Sequence, residues 1–270
     1  MPNPKSQTAA PAPQFVTRKS PLATRHPSPL AILGVPIHDV TYAETLALIE
    51  EFIAAGRPHQ ICTANPEFVM AAQSDDEFRF ILNRADLVLP DGIGLIWAST
   101  WLAATRNSQS AFRERVAGST LTWKVCELAA RRGWRVYFLG AAEGVAARAA
   151  EILREKYPSL NVAGTFAGSP RVEDEDEIVE RVRAAAPQIL LVAYGAPQQD
   201  KWIARNSARL GVPVMMGVGG ALDFIAGVAA RAPDWMQKLG LEWFHRLLHQ
   251  PWRWRRMMAL PKFAVKILLD

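Results

Sequence analysis

From Ala31 onward the chain alternates short β-rich runs with longer amphipathic stretches, and that alternation leaves few folds open. The runs are AILGVPI, HQICTAN, DLVLP, WRVYFLG, NVAGTFAG, QILLVAYG and VPVMMGVGG. Between them lie stretches of helical period: Tyr42 to Ala55, Glu143 to Tyr157, Asp174 to Ala186 and Gln198 to Leu210. Strands separated by helices need crossover connections, which give a mostly parallel sheet with helices on both faces. The expected class is therefore α/β, Rossmann-like. In such sheets ligands collect beyond the carboxyl ends of the strands.

That rule selects the residues to inspect. The runs end in Thr63-Ala64-Asn65-Pro66-Glu67, Pro90-Asp91-Gly92, Gly140-Ala141-Ala142-Glu143-Gly144, Tyr194-Gly195-Ala196-Pro197-Gln198-Gln199 and Gly217-Val218-Gly219-Gly220. Asp91 is either a functional carboxylate or the cap of a helix beginning near Gly94. Thr63 and Asn65, two apart on extended backbone, share a side; capping is again the simpler role. Pro66 suits a helix's first turn. The turns at Gly140 and at Gly219-Gly220 offer backbone amides to a diphosphate at a helix start, although neither carries the full Gly-x-Gly-x-x-Gly fingerprint. Asp174 to Asp176 matches an Asp-x-Asp string, but it opens a charged helix, where acids complement the helix dipole. No histidine or cysteine spacing points to zinc, and no Gly-x-Ser-x-Gly elbow is present.

Charge divides the chain into three. Residues 1 to 30 hold seven prolines and Lys5, Arg18, Lys19 and Arg25 with no acid, and read as a disordered leader. Residues 231 to 270 carry eight bases against Asp234, Glu242 and Asp270; the 19 bases and 23 acids between make the body mildly acidic. A uniformly nucleic-acid-binding domain does not have this profile. Cys62 and Cys126 sit in apolar surroundings, which fits unpaired thiols in a reducing compartment. The opening MPNPKSQTAAPAPQ lacks the apolar middle of a signal peptide, so export is not expected.

The last segment is the most unusual: DWMQKLGLEWFHRLLHQPWRWRRMMALPKFAVKILL. Tryptophans 235, 243, 252 and 254 are interleaved with Arg246, Arg253, Arg255 and Arg256. Rings beside cations suit the headgroup level of an anionic bilayer. Packing of the rings on the core and stacking on single-stranded nucleic acid are the alternatives. Arg246 is placed to reach back toward the cleft and meet phosphate. The expected divisions are a leader at 1–30, an α/β core at 31–232 and a membrane-associating appendage at 233–270.

Taken together, TANPEFVMAAQ, ADLVLPDGIGLIWAS, ERVAG, YFLGAAEGVAARAAEIL, LLVAYGAPQQDKWI, GVGGALDFIAG and APDWMQKLGLEWFHRLLHQPWRWRR resemble, block by block and in order, the WecG/TagA/CpsF glycosyltransferases (glycosyltransferase family 26). The resemblance runs from about Ile32 to Arg256. It implies an inverting transferase that moves a sugar from a UDP donor to a polyprenyl-diphosphate-linked sugar at the cytoplasmic face of the membrane. It makes Asp91 the catalytic base and places Thr63, Asn65, Arg115 and Gln199 in the sugar pocket. Gly140, Gly219 and Gly220 would let amides approach uridine or diphosphate. Arg246, Arg253 and Arg256 would meet diphosphate, with no metal or other cofactor. It also implies a membrane-bound appendage and an oligomer off the membrane.

Two departures from the family pattern bear on the donor. Thr120 stands where an acid is usual, and STWLAATRNSQSAFRERV is longer and more basic than typical. Both are compatible with a donor other than N-acetylmannosamine, such as glucose. An NAD-dependent oxidoreductase and a non-catalytic membrane-docked scaffold are the alternatives in other classes.

Overall fold

The computed structural model describes residues 29–106, 111–249, 251 and 254–270. In chain order the elements are β1 (Leu30–Ile32), β2 (Val35–Ile37), α1 (Tyr42–Ala55), β3 (His59–Ala64), α2 (Pro66–Ala71), α3 (Asp76–Arg84), β4 (Leu87–Pro90) and α4 (Ile93–Arg106). Then come α5 (Gly118–Arg132), β5 (Arg135–Gly140), α6 (Val145–Lys156), β6 (Asn161–Phe166), α7 (Glu175–Ala185), β7 (Ile189–Ala193), α8 (Gln198–Leu210), β8 (Val214–Gly217) and α9 (Ala221–Ile225). Four short helices follow: α10 (Asp234–Lys238), α11 (Glu242–His249), α12 (Trp254–Met257) and α13 (Ala259–Leu269).

Six strands form one sheet in the order β4-β3-β8-β7-β5-β6, and every neighbouring pair is parallel. The fold is α/β and Rossmann-like. The run AILGVPI contributes no strand to this sheet. It folds back as the antiparallel pair β1-β2 through Leu33 and Gly34, both at positive φ. Two consecutive left-handed residues make a tight turn, and Gly34 takes its share without strain.

β4, β7 and β8 are apolar throughout because both faces are covered. Along β5, Val136 and Phe138 join a core cluster with α1, α5 and α6. The alternate residues Tyr137 and Leu139 join a second cluster with α7 and α8. Leu87 and Leu89 of β4 face the first cluster as well, whereas Val88 faces a third, beneath α2, α3 and α4. Helix starts are fixed locally: Thr41 and Glu44 form a reciprocal capping box on α1. Both cysteines are buried and unbonded, and burial pushes both thiols upward.

The tail does two things at once. Phe263 and Ile267 of α13 are buried in the same cluster as Leu95, Ala98 and Leu102 of α4, so the end of the chain is partly core. Trp235, Trp243 and Trp254 are exposed. Core packing therefore falls to α13's phenylalanine and isoleucine rather than to these tryptophans.

Asp200, in the first turn of α8, is fully buried. Burial pushes its carboxyl up to about 7, partly offset by the Cys62 and Gln199 side chains. Between the ordinary carboxyl value near 4 and about 7, the folded chain holds a proton that the unfolded chain releases. Stability therefore falls as pH rises through that window. Asp200→Asn should remove this slope and raise stability by about 1–3 kcal/mol at pH 8 relative to pH 5. Urea unfolding at the two pH values measures it, and an equal wild-type-to-variant gap at both would contradict the assignment.

Candidate active site

The carboxyl ends of β3, β4, β7 and β8 surround a cleft of about 200 Å³. Its floor begins at β3. Thr63 is buried and its Oγ1 donates to the Gly217 carbonyl at 3.2 Å, tying β3 to β8. Asn65 caps α2, accepting from the Phe68 amide at 3.1 Å, and it also lines the cleft. Capping and site placement thus coincide in one side chain.

Asp91 follows β4, and its amide donates to the Ala64 carbonyl at 2.8 Å. The two loops approach closely. A Cβ on Gly92 or on Gly94 would lie 2.6 Å from the Pro66 ring. Side chains at either position would force the loops apart and carry Asp91 away from Thr63. The third wall is the start of α5. A Cβ on Gly118 would lie 3.0 Å from Thr63 Cγ2 and 3.2 Å from Asp91 Oδ2. Ala117 gives α5 no side-chain cap, so the Asp91 carboxylate lies beside the positive end of a fifteen-residue helix. The Tyr42 hydroxyl accepts from the Ala117 amide at 2.8 Å, fixing that helix start. Burial raises the Tyr42 phenol, a hydrogen bond with Thr120 opposes this, and the Asp91 charge adds to the rise.

On the β8 side, Gln199 packs over Gly217, where any Cβ would meet its amide at 2.5 Å. Its Oε1 accepts from the Gly219 amide at 2.9 Å, which shapes the Gly219-Gly220 turn. Gly219 has φ +52 with open space around its Cα.

The tail closes the cleft. Arg115 Nη2 donates to Glu242 of α11 at 2.8 Å. Arg231 lies 4.0 Å from the same carboxylate and donates to Thr120 Oγ1 at 2.7 Å. Arg256 Nε donates to Glu67 at 3.0 Å. Among the sequence-derived candidates, Thr63, Asn65, Asp91, Arg115, Gln199, Gly219, Gly220 and Arg256 line one cleft. Gly140 does not. Its φ is +100, and a Cβ there would sit 2.8 Å from the Ala193 backbone, so it serves the contact of β5 with β7. Arg246 belongs to α11, but its side chain is outside the description; Arg253 lies outside the described residues.

Sequence reasoning assigns no role to Glu67, Ser119 or Glu242, yet all three line the cleft; Gly118 abuts Thr63 and Asp91, Arg231 approaches Glu242, and Tyr42 fixes the start of α5. Glu67 and Gly118 lie inside quoted motifs, TANPEFVMAAQ and ERVAG, without a role assigned to them. The pairing of Glu242 with Arg115 joins positions 127 apart and has no local signature.

A family model described as the WecG/TagA/CpsF glycosyl transferase family matches residues 30–270. The chain belongs to that family. This sets aside the oxidoreductase alternative. Several relatives carry the name N-acetylglucosaminyldiphosphoundecaprenol N-acetyl-beta-D-mannosaminyltransferase. One from Bacillus subtilis (strain 168) is 33% identical over 210 residues, covering 78% of this chain and 79% of its own. One from Bacillus spizizenii is 34% identical, covering 77% and 78%. One from Staphylococcus aureus (strain MW2) is 32% identical over 238 residues, covering 87% and 91%.

The convergence at Gly118 makes a prediction for this family member. Gly118→Ala adds one methyl where Thr63 and Asp91 must each give a few tenths of an ångström. Turnover should fall about 10- to 100-fold with the melting temperature within a few degrees of wild type. Unchanged turnover in a folded variant would mean that Asp91 and Thr63 are not set by this contact.

Proposed function

We propose that the chain is an inverting, UDP-sugar-dependent transferase acting on a polyprenyl-diphosphate-linked saccharide, with Asp91 as its base. The observation that carries the reading is the Asp91 carboxylate beside Thr63, in a cleft closed by arginines from two parts of the chain. A sugar hydroxyl is a poor nucleophile at neutral pH, and attack on an anomeric carbon needs a positioned proton acceptor. Asp91 takes the acceptor's hydroxyl proton as the oxygen bonds to the anomeric carbon; UDP departs from the opposite face, so configuration inverts. Thr63 and Asn65 orient the reacting sugars.

Donor and acceptor both carry diphosphate, so the cleft must hold several negative charges. Arg115 and Arg256 are the cations described there, each against a carboxylate. Diphosphate competes with Glu242 and Glu67 for these guanidinium groups, which suit phosphate geometry. The family resemblance adds Arg246 and Arg253 to the residues that would meet diphosphate, and the amides at Gly219 and Gly220 take part of the nucleotide. In this reading guanidinium groups, not a metal ion, meet the leaving diphosphate.

The relatives' names make N-acetylmannosamine and an N-acetylglucosaminyl-diphosphate acceptor the first pair to try; a glucose-type donor is the second. The product belongs to cell-surface or exopolysaccharide synthesis. Residues 31–232 supply the catalytic core, 233–270 an appendage that holds the protein peripherally on the inner face of the plasma membrane, and 1–30 a leader outside both. No helix among the described residues is long and apolar enough to cross a membrane.

The test is UDP release from a panel of UDP-sugars with detergent-dispersed polyprenyl-diphosphate-sugar. One donor should give turnover that EDTA leaves intact and that Asp91→Asn lowers about 10²- to 10⁴-fold. Asp91→Asn turning over at the wild-type rate would remove Asp91 as the base.

A further inference from the structure

Outside the cleft, the least expected surface belongs to the core, not to the tail. α4 carries no charged residue from Ile93 to Thr105. One side of it, Leu95, Ala98, Ser99 and Leu102, is buried, as a helix against a core requires. The opposite side would ordinarily be polar. Instead it presents Ile93, Trp97 and Trp101, four residues apart, each about two-fifths exposed at 40%, 40% and 39%. The two indoles stack with centroids 6.5 Å apart and lie one turn after another along the helix. An apolar ridge of this kind marks a contact surface.

The tail touches α4 at both ends of the appendage. Gly240 lies directly on Ile93, where any Cβ would be 2.6 Å from Cγ1, and α13 packs along the same helix through Phe263 and Ile267. The tail's own outward side adds Trp254, Val265, Leu268 and Leu269. From Trp254 to Leu269 it carries Arg255, Arg256, Lys262 and Lys266 with no acid.

We propose that α4 is a second membrane-docking element, seating Trp97 and Trp101 at the headgroup level of an anionic bilayer beside the tail. This rests on the peripheral-membrane reading above and extends it from the appendage to the catalytic core. Charge decides between a bilayer and a second copy of the chain. A two-fold contact sets each patch against itself and would bring Arg255, Lys262 and Lys266 of one tail toward those of the other, Arg256 being held at the cleft by Glu67. An anionic lipid surface complements the same charge, and indole is the side chain most suited to the polar-apolar boundary. Ile93 also lines the cleft, so docking through α4 sets the cleft mouth at the height of a lipid-borne diphosphate.

The experiment uses the full chain with vesicles of phosphatidylglycerol and phosphatidylethanolamine, and with phosphatidylcholine vesicles as the neutral control. Trp97→Ala/Trp101→Ala should lower partition onto the anionic vesicles about tenfold or more, while turnover of a short-chain, water-soluble acceptor stays at the wild-type level. Trp97→Phe/Trp101→Phe preserves the packing; it should lose the part of tryptophan quenching by bromine-labelled acyl chains that those two rings contribute. If both variants bind and quench as wild type while Trp254→Ala/Leu268→Ala loses binding, the tail alone anchors the protein and the α4 inference is overturned. If wild type ignores anionic vesicles, the peripheral-membrane reading itself fails. If the alanine pair instead converts an oligomer to monomer in sedimentation with vesicle binding unchanged, the ridge is a self-association face and the proposal is wrong.

Discussion

Everything in the cleft depends on how closely two loops approach. The Pro66 ring lies over Gly92 and Gly94 at a distance no Cβ tolerates. The Asp91 amide is then tied to the Ala64 carbonyl across the same gap. Pro66 is fixed by the α2 start that Asn65 caps, and α2 sits on strands buried on both faces. The position of one carboxylate is thus a consequence of packing that begins in the sheet. Close-packed interiors transmit small displacements instead of absorbing them. A methyl group added at 92, 94 or 118 would therefore be felt as a shift of the Asp91-Thr63 pair, although none of these glycines has a side chain to offer chemistry.

Electrostatics joins the remaining pieces. Body and tail meet in ion pairs of both senses across the cleft: Glu67 of the body with Arg256 of the tail, and Glu242 of the tail with Arg115 of the body. Partly exposed pairs of this kind contribute only about 0–1 kcal/mol each. They hold the tail near the core without committing either guanidinium group. On the proposed function a diphosphate, with more charge and bidentate oxygens, competes for the same arginines. Under this reading the carboxylates keep the arginines oriented and partly desolvated before substrate arrives.

Much of this was legible from sequence. Runs apolar at every position mean strands covered on both faces, and the β5 and β7 residues divide between opposite clusters as that requires. The ligand rule for parallel sheets points at strand ends and so at Asp91, Thr63 and Asn65, which line one cleft. The same rule overreached at Gly140. Nothing local separates a glycine that opens a turn to ligand, such as Gly219, from one that lets two strands touch. Strand order makes the difference: β8 adjoins β3 and β7 adjoins β8, while β5 lies beyond them. The ion pairs of Glu67 and Glu242 span 189 and 127 positions and exist only in the folded chain. AILGVPI reads as one strand because its turn, Leu33-Gly34, is short and apolar on one side.

The tail's double nature follows from the same physics. A segment of alternating aromatic, basic and aliphatic residues has no single solvent that suits all of it. Phe263 and Ile267 find one in the core beneath α4. Trp254, Val265 and Leu268 do not. Burying half of α13 fixes which half stays out, so packing against the core orients the exposed half. α4 is the partner in that contact, and its own outward ridge shares the result. Anchoring the tail through the helix that begins two residues after Asp91 couples the orientation of the apolar surface to the position of that carboxylate. On the proposed function a lipid-linked acceptor needs that coupling, because its diphosphate would stay at the bilayer surface and the carboxylate would have to be brought to it.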